Sequence, residues 1–322
     1  MKIGITYDVN KVDGERAKMF NDFRKIEDIN CIKKELEKTD NIVTLIGNER
    51  QLMQQLLDGT FDCEIVLNTI GGISAQNRGN SVPAILDDYK IPYIGSDAFG
   101  LSLASNKYLT RMVARSHGIN TPNSVLLSYP NTEDMAEKIS TLKPPYGVQL
   151  NYAINSREII LCYDPQDAAK KAEDLMERYQ DDVICEEFKF AMDMEVPYID
   201  TKSIPLWDIT YVETKPHYRR GFIGRDGIYF WDYRADKETR ALFEEPVNIL
   251  YKNLGIRDLC CFDFRMTPTG ELIFAGVNPV PAIMDGSVYE AVGKKYGYRY
   301  YEMLHLVLEA ACERLNLPYF KI

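Results

Sequence analysis

The first third of the chain alternates between two hydrophobic periods, one typical of strands and one typical of amphipathic helices. The segment CEIVLNT is a continuous apolar run, as in a parallel strand that is buried on both faces. The strands predicted in this region are Lys2–Tyr7, Asn41–Ile46, Cys63–Thr69 and Ile91–Gly95. The helices predicted between them are Phe20–Lys38, Glu49–Leu57 and Val82–Tyr89. Strands separated by helices indicate βαβ units, so residues 1–98 are predicted to form a doubly wound, Rossmann-like domain.

The middle third changes from this alternation to strands that pair as hairpins. Its predicted strands are Ser124–Ser128, Tyr146–Tyr152, Glu158–Tyr163 and Asp182–Lys189. Its predicted helices are Asn106–His117, Thr132–Leu142 and Pro165–Tyr179. Gly118 ends the first of these helices, and the segment Lys143-Pro144-Pro145 breaks the second. We therefore predict a small central α+β lobe over residues 99–190.

The last third, residues 191–322, is predicted to form a second α+β lobe. Its strongest signal is a hairpin in which Leu259–Met266 pairs with Glu271–Val277 across the turn Thr267–Gly270. The other predicted elements are strands at Asp193–Ile199, Leu206–Val212 and Ile228–Tyr233 and helices at Lys237–Leu254, Ser287–Tyr296 and Tyr300–Leu315. The fold class is thus α/β in the first domain and α+β in the two lobes.

Charge and composition exclude several classes of function. The 322 residues carry 38 basic and 48 acidic side chains, a net charge of −10, which disfavours binding to a nucleic-acid backbone. No stretch approaches the roughly 20 apolar residues of a membrane span, and the strand-like start differs from a signal peptide. The seven cysteines lack CxxC spacing, which argues for reduced thiols and against zinc. We expect a cytoplasmic protein that binds neither nucleic acid nor membrane.

A glycine-rich segment, Gly71–Gly79, follows a predicted strand and precedes a predicted helix. This is the place where an open α/β sheet binds ligands, so the segment is either a functional loop or a plain surface turn. It lacks both GxGxxG spacing and the Lys-Ser/Thr of a phosphate loop. The interpretation as a nicotinamide-dependent oxidoreductase is therefore disfavoured, because only the Rossmann-like N-terminal region supports it.

Polar residues at two strand ends are the other candidates for chemistry. Glu186 lies near the end of the predicted strand Asp182–Lys189 and Asp193 follows shortly after, so their carboxylates either bond a base or sugar edge or are solvated charges on an edge strand. Asp263 and Asn278 lie on the paired strands of the terminal hairpin, and they either ligate a hard cation such as Mg²⁺ or are ordinary polar residues. Ser287 either caps the helix that it precedes or holds a carboxylate.

Taken in order, these segments resemble the ATP-grasp superfamily, in particular its D-alanine–D-alanine ligase-like branch. The segments that carry the resemblance are Ile65–Thr69, Val82–Leu86, Ile91–Asp97, Asn106–Arg111, Cys185–Phe188, Leu254–Phe264 and Val277–Ser287. The resemblance covers essentially the whole chain and implies an ATP-grasp fold behind a Rossmann-like N-terminal domain. It also implies a carboxylate–amine ligase that uses Mg-ATP to make an acyl phosphate, with an amino-acid-like substrate, and a homodimer.

The resemblance assigns roles to residues that match the family's motifs. These are Lys107 for phosphate, Glu186, Glu187, Phe188 and Lys189 for adenine, Asp193 for ribose, Asp263 and Asn278 for metal, and Ser287 for the carboxylate of the second substrate.

The departures from the family pattern fall where the chemistry is expected. Gln149 replaces the second phosphate lysine, Cys261 an arginine that stabilises the tetrahedral intermediate, and Gly276 a glutamate that bridges two Mg²⁺ ions. The segment 151–155 replaces a flexible Gly-Ser-Ser loop, and Gly71 and Gly79 stand where glutamates are expected. These replacements predict a non-catalytic or strongly impaired homologue, a pseudoenzyme that acts as a binding or partner subunit.

An active carboxylate–amine ligase with a rebuilt site is the alternative. It requires other cations to reach Asp263 and Asn278. The candidate cations are Lys237, Arg219, Arg220 and Arg265.

Overall fold

The computed structural model describes residues 1–8, 26–70, 79–152, 159–202, 205–213, 229–232, 236–283 and 287–318. Of the residues singled out in the sequence, Gly71, Arg219, Arg220 and residues 153–155 lie outside these ranges. Three sheets organise the described chain, and they use residues 2–94, 124–187 and 192–278 in turn. The domain boundaries placed at residues 98 and 190 stay a prediction.

The first sheet is parallel and has the strand order β2-β1-β3-β4. Its strands are β1 (Lys2–Thr6), β2 (Ile42–Gly47), β3 (Ile65–Asn68) and β4 (Tyr93–Ile94). The helices that accompany it are α1 (Ile26–Leu36), α2 (Glu49–Leu57) and α3 (Ser81–Asp88). Ile3, Ile5 and Ile65 are fully buried, because helices cover both faces of a parallel sheet. The doubly wound start predicted from the alternating pattern is confirmed.

The second sheet is antiparallel, in the order β5-β8-β6-β7, and belongs to the small lobe. Its strands are β5 (Ser124–Leu127), β6 (Tyr146–Leu150), β7 (Ile160–Cys162) and β8 (Val183–Glu187). The preceding helices are α4 (Ala98–Ser105) and α5 (Lys107–Ser116), and the helices packed within the lobe are α6 (Met135–Ser140) and α7 (Pro165–Tyr179). Asp164 starts α7 by accepting from Gln166 N and Asp167 N, and Pro165 fits the first helical turn.

The third sheet forms the centre of the large lobe, in the order β12-β11-β9-β13-β14 with β10 paired to β9. Its strands are β9 (Met192–Ile199), β10 (Leu206–Trp207), β11 (Thr210–Glu213), β12 (Tyr229–Asp232), β13 (Leu259–Met266) and β14 (Leu272–Asn278). The helices that follow or separate them are α8 (Lys237–Asn253), α9 (Val288–Lys295) and α10 (Tyr300–Leu315). Phe262 and Phe264 of β13 are buried in one apolar cluster with Phe243 of α8, which fixes the helix on one face of the sheet.

Two elements differ from the predictions. Helix α4 was not predicted, because its segment is apolar all round and so lacks the helical period that marks a half-buried helix. The single strand predicted at Leu206–Val212 is divided into β10 and β11. The break lies at Asp208, whose buried side chain accepts from Ile209 N at 2.7 Å and pairs with Arg240 and Lys295 instead of continuing the strand.

The N-terminal domain is tied to the large lobe by a buried carboxylate. Asp258 accepts two hydrogen bonds from Arg314 of α10, each 2.7 Å long, and one from the backbone N–H of Gly95 at 2.8 Å. Arg314 also donates to Tyr93 O at the end of β4. The carboxyl ends of β3 and β4 therefore face the large lobe. None of the described helices combines the length and the apolar character that a bilayer crossing requires.

Candidate functional site

The β13–β14 hairpin places the predicted metal ligands on one face of the large sheet. Asp263 pairs with Gly276 and Cys261 pairs with Asn278 in the antiparallel register, so these four residues share a face. Phe262 points to the opposite face, into the apolar core. The strand pairing predicted from the sequence thus brings Asp263 and Asn278 onto the same face, and their role as metal ligands stays a prediction.

The two hairpin positions that depart from the family pattern carry no group able to replace the expected ones. The Cys261 side chain is buried in the apolar cluster that contains Ile199 and Leu259. Gly276 has no side chain, and a Cβ atom built on it meets no described atom within 4 Å. The described side chains also include no group of three or more His, Cys, Asp or Glu placed to hold a metal ion. At these four hairpin positions, one carboxylate and one amide supply fewer oxygen ligands than a pair of Mg²⁺ ions takes.

Lys107 is placed by the start of α5. Asn106 caps this helix, since its side-chain oxygen accepts from Leu109 N at 2.9 Å, and Asn151 holds the same end by accepting from Lys107 N and Tyr108 N. The Lys107 amine donates to Leu150 O at 3.1 Å. Burial and the nearby charge of Arg111 lower its pKa to about 8. This lysine therefore lies beside β6 of the small lobe and within electrostatic range of Asp263 of the large lobe. It stands at the buried inner end of the space between the two lobes, which is called the cleft below.

A buried ion cluster joins the two lobes across this cleft. Glu186, at the end of β8, has no exposed surface and accepts from Arg111 Nη2 at 2.8 Å, from Arg265 Nη1 at 2.6 Å and from Gln149 Nε2 at 2.8 Å. Burial opposes its ionisation, but the two guanidinium groups outweigh burial and hold the pKa of Glu186 at about 2. The side chain of Glu186, which the sequence predicted to bind adenine, is thus an ionised carboxylate paired with two arginines.

Each arginine of this cluster comes from a different element. Arg111 lies one helical turn after Lys107, and it also donates twice to Ala275 O, which belongs to the bulge residue of β14. Arg265 lies two residues after Asp263 on the same face of β13, and its Nε atom is 3.4 Å from Asp193 Oδ1. Sequence reasoning assigned no role to Arg111. The i, i+4 spacing from Lys107 is the signal that places it beside the same cleft.

The other residues predicted to bind adenine are Glu187, Phe188 and Lys189, and the polar side chains among them point away from Glu186. The Glu187 carboxylate accepts from Asn123 Nδ2 and Lys143 N, each at 3.0 Å. The Lys189 amine binds Glu271 on the surface at 2.8 Å. The Phe188 ring is buried and lies 5.0 Å from the guanidinium of Arg265. Glu187 and Lys189 would therefore contact a ligand in the cleft through their backbone groups, because their side chains are paired elsewhere.

Ser287 is the N-cap of α9, where its hydroxyl accepts from the backbone N–H of Glu290 at 3.4 Å. Of the two roles left open by the sequence, the structure supports the cap, and binding of a carboxylate stays a prediction. Nearby in the chain, Pro279–Pro281 and Ile283 line a cavity together with Asn68, Thr69 and Ser96. This cavity lies at the carboxyl ends of β3 and β4, the position where open α/β sheets bind small molecules.

Comparisons with known proteins agree with this architecture. Residues 162–309 match the family described as D-ala D-ala ligase C-terminus. The chain is 24% identical to the D-alanine–D-alanine ligase of Nitrosomonas europaea over 269 residues, which are 81% of this chain and 82% of the relative. Among solved structures it is similar to the D-alanine–D-alanine ligase of Bacillus anthracis complexed with ATP, with a TM-score of 0.78, 17% identity, and coverage of 98% of this chain and 99% of that one. It is also similar to the VanG D-Ala:D-Ser ligase of Enterococcus faecalis, with a TM-score of 0.75, 16% identity, and coverage of 96% and 99%.

Proposed function

We propose that this chain, whose residues 162–309 match the D-ala D-ala ligase C-terminus family, is a strongly impaired or non-catalytic homologue of the D-alanine–D-alanine ligase-like ATP-grasp proteins and works as a binding or partner subunit. Its ligand is an adenine nucleotide held weakly between the lobes. The proposal separates two properties of the family, nucleotide binding and phosphoryl transfer, and keeps only the first.

The observation that carries this proposal is the register of the β13–β14 hairpin. Asp263 faces Gly276 and Asn278 faces Cys261, so the face that bears the predicted metal ligands offers one carboxylate and no arginine at these four positions. Phosphoryl transfer depends almost wholly on positioning and charge compensation. At these four positions the hairpin supplies neither the bridging carboxylate nor the arginine that the family resemblance leads us to expect.

The phosphate end of the cleft supports the same conclusion. Gln149, at the position of the second phosphate lysine, is neutral and its amide donates to Glu186 at 2.8 Å. The arginines that add positive charge nearby, Arg111 and Arg265, are both bound to the same carboxylate at 2.6–2.8 Å. Their charges are therefore partly compensated before any phosphate arrives.

The size of the expected defect follows from the three replaced side chains. A hydrogen bond to a charged group contributes about 1.5–3 kcal/mol, so three of them amount to roughly 5–9 kcal/mol of transition-state stabilisation if they add independently. Since about 1.4 kcal/mol changes a rate tenfold, the loss is on the order of 10³–10⁶ in turnover. Starting from a typical enzyme at about 10 s⁻¹, ligation would fall to about 10⁻² s⁻¹ or less.

Two measurements on the intact chain test the proposal together. Isothermal titration with Mg-ATP measures nucleotide binding, and a coupled assay of ADP release over mixtures of D- and L-amino acids measures turnover. We expect weak binding of ATP with no amino-acid-dependent ADP release above about 10⁻² s⁻¹. The D-alanine–D-alanine ligase of Nitrosomonas europaea, assayed in parallel, is the positive control. Turnover near 1 s⁻¹ would contradict the proposal.

A second candidate function is ATP-dependent ligation by a rebuilt site. One observation favours it: Lys107 is retained, and its pKa is influenced by Asp263 as well as by Arg111, so a cation and a predicted metal ligand lie within electrostatic range. Of the replacement cations named from the sequence, Arg265 points into the cleft but is bound to Glu186, and Lys237 is exposed at the start of α8. The same ADP-release assay decides between the two functions.

The second ligand of this site is proposed to be amino-acid-like. The cavity at the ends of β3 and β4 is lined mainly by apolar side chains, with polar groups at Asn68, Thr69 and Ser96. A small zwitterion with a short apolar side chain suits such a lining.

We also propose that the protein is a cytoplasmic homodimer, as is common in this family. Light scattering after size-exclusion chromatography measures the mass that tests the oligomeric state.

A further inference from the structure

The guanidinium group of Arg265 fills the space between two carboxylates that line the cleft. Its Nη1 atom donates to Glu186 of the small lobe at 2.6 Å, and its Nε atom lies 3.4 Å from Asp193 of the large lobe. The same group lies 5.0 Å from the centre of the Phe188 ring. A cation therefore occupies the region between the residues predicted to hold a base, Glu186 and Phe188, and the residue predicted to hold ribose.

This side chain is held in place from several sides. Only 8% of its surface is exposed. Glu186 is itself fixed by Arg111 and Gln149, so the acceptor cannot follow Arg265 if the arginine moves. A planar base cannot stack on the covered face of Phe188 unless the guanidinium leaves, and that movement breaks a buried hydrogen bond between two charged groups.

We propose that Arg265 is a specificity-determining residue that excludes a purine base from the inner end of the cleft. This inference rests on the proposed function, in which the cleft binds a nucleotide, and it adds which part of the nucleotide is recognised. In the native chain the weak affinity comes from the phosphates at the retained Lys107, and the base contributes little. Removal of the guanidinium opens the face of Phe188 and restores binding of the base.

The substitution Arg265→Met tests this with little risk to folding. Methionine is a flexible, uncharged side chain that no hydrogen bond holds over the Phe188 ring, so it can move aside for a base. Glu186 keeps Arg111 and Gln149 as partners at 2.8 Å each, so no buried carboxylate is left unpaired. Asp193 is 36% exposed and remains in contact with solvent.

Arg240 offers a matched control elsewhere in the large lobe. Its guanidinium also stacks on an aromatic ring, 4.1 Å from the centre of Trp207, and pairs with the buried carboxylate of Asp208 at 3.1 Å. Asp208 retains Lys295 and Tyr296 as partners when Arg240 is replaced. Arg240→Met therefore removes an equivalent cation without changing the cleft.

The experiment compares ATP with magnesium tripolyphosphate, which has the phosphates but no base. Both are titrated calorimetrically into the native chain, Arg265→Met and Arg240→Met. We expect the native chain and Arg240→Met to bind the two ligands with affinities within about threefold. Arg265→Met should bind ATP about 10- to 100-fold more tightly than the native chain does, equivalent to about 1.4–2.8 kcal/mol, with the tripolyphosphate affinity changed by less than about threefold.

The outcomes separate this inference from the function on which it rests. If Arg265→Met binds ATP no better than the native chain, or more weakly, Arg265 does not exclude the base, and only this inference is overturned. A native chain that already binds ATP far better than tripolyphosphate overturns it as well. If neither ligand binds to any of the three proteins, nucleotide binding itself fails, and the proposed function falls together with the inference.

Discussion

The substitution Glu186→Gln perturbs the centre of the buried ion cluster while keeping the shape of the side chain. In the native chain the carboxylate compensates two guanidinium groups, of which Arg111 is 1% and Arg265 8% exposed. The variant leaves both cations buried beside a neutral amide, and of the two only Arg265 keeps a described carboxylate nearby, Asp193 at 3.4 Å. Removing one partner of a buried ion pair destabilises proteins by about 3–5 kcal/mol, because the remaining charge has lost both solvent and its counter-ion.

The pKa of Glu186 gives an independent magnitude for this effect. A value of about 2 in the folded chain, against an ordinary 4.5, corresponds to about 3 kcal/mol of stability at pH 7. Because the folded pKa is the lower one, this contribution is complete above pH 4.5 and is lost as the pH falls through 2. At pH 3 the linkage relation leaves about 1 kcal/mol. The difference between the native chain and the variant should therefore shrink on acidification.

Urea unfolding followed by circular dichroism measures both quantities. Glu186→Gln should lower the free energy of unfolding by about 3–5 kcal/mol at pH 7 and by about 2 kcal/mol less than that at pH 3. Glu271→Gln is the control, since it breaks the exposed pair with Lys189 and should change stability by less than about 1 kcal/mol. A Glu186→Gln variant as stable as the native chain at pH 7 would refute the reasoning that this carboxylate is the charge centre of the cleft.

Three further predictions concern single sites. Lys107 has a pKa of about 8, so raising the pH from 7 to 9 should weaken ATP binding in a titration as the amine loses its charge, whereas Lys107→Gln should show no such change over this range. Gly276→Glu places a carboxylate in open space beside Asp263 and should strengthen the Mg²⁺ dependence of ATP binding about tenfold. Gly276→Gln is the control and should leave this dependence unchanged. Equal behaviour of the two variants would contradict the metal role of this face. Five of the seven cysteines are buried, and only Cys31 and Cys63 are partly exposed. A thiol reagent should therefore label at most two cysteines rapidly in the native chain and all seven in urea. Rapid labelling of more than two cysteines in the native chain would show that the described packing is wrong.

Much of the fold could be predicted because local pattern and tertiary packing agree. The continuous apolar run around β3 predicted a buried parallel strand, and the turn at Thr267–Gly270 predicted the β13–β14 hairpin. Both elements are present. The pairing of the strands that carry Asp263 and Asn278 was also predicted, and the observed register places both residues on one face. The helix α4 could not be found in this way, because a helix buried all round has no polar face to set its period.

The ion cluster could not be predicted from the sequence. Its members Arg111, Glu186 and Arg265 lie about 75 residues apart along the chain, on a helix and on strands of two different sheets. Sequence spacing says which residues share a face, but the choice of partner for Glu186 depends on how the small lobe sits on the large one. The family resemblance led to a nucleotide role for Glu186, and that role stays a prediction beside the observed pairing with two arginines.

The central claim is that the cleft lacks the groups that seat a triphosphate with two metal ions. A crystal structure of the chain soaked with ATP and Mn²⁺, with the metal located by its anomalous scattering, tests it most directly. We predict at most one Mn²⁺, bound near Asp263 and Asn278. Two ordered Mn²⁺ ions that bridge an intact triphosphate between the lobes would contradict the claim.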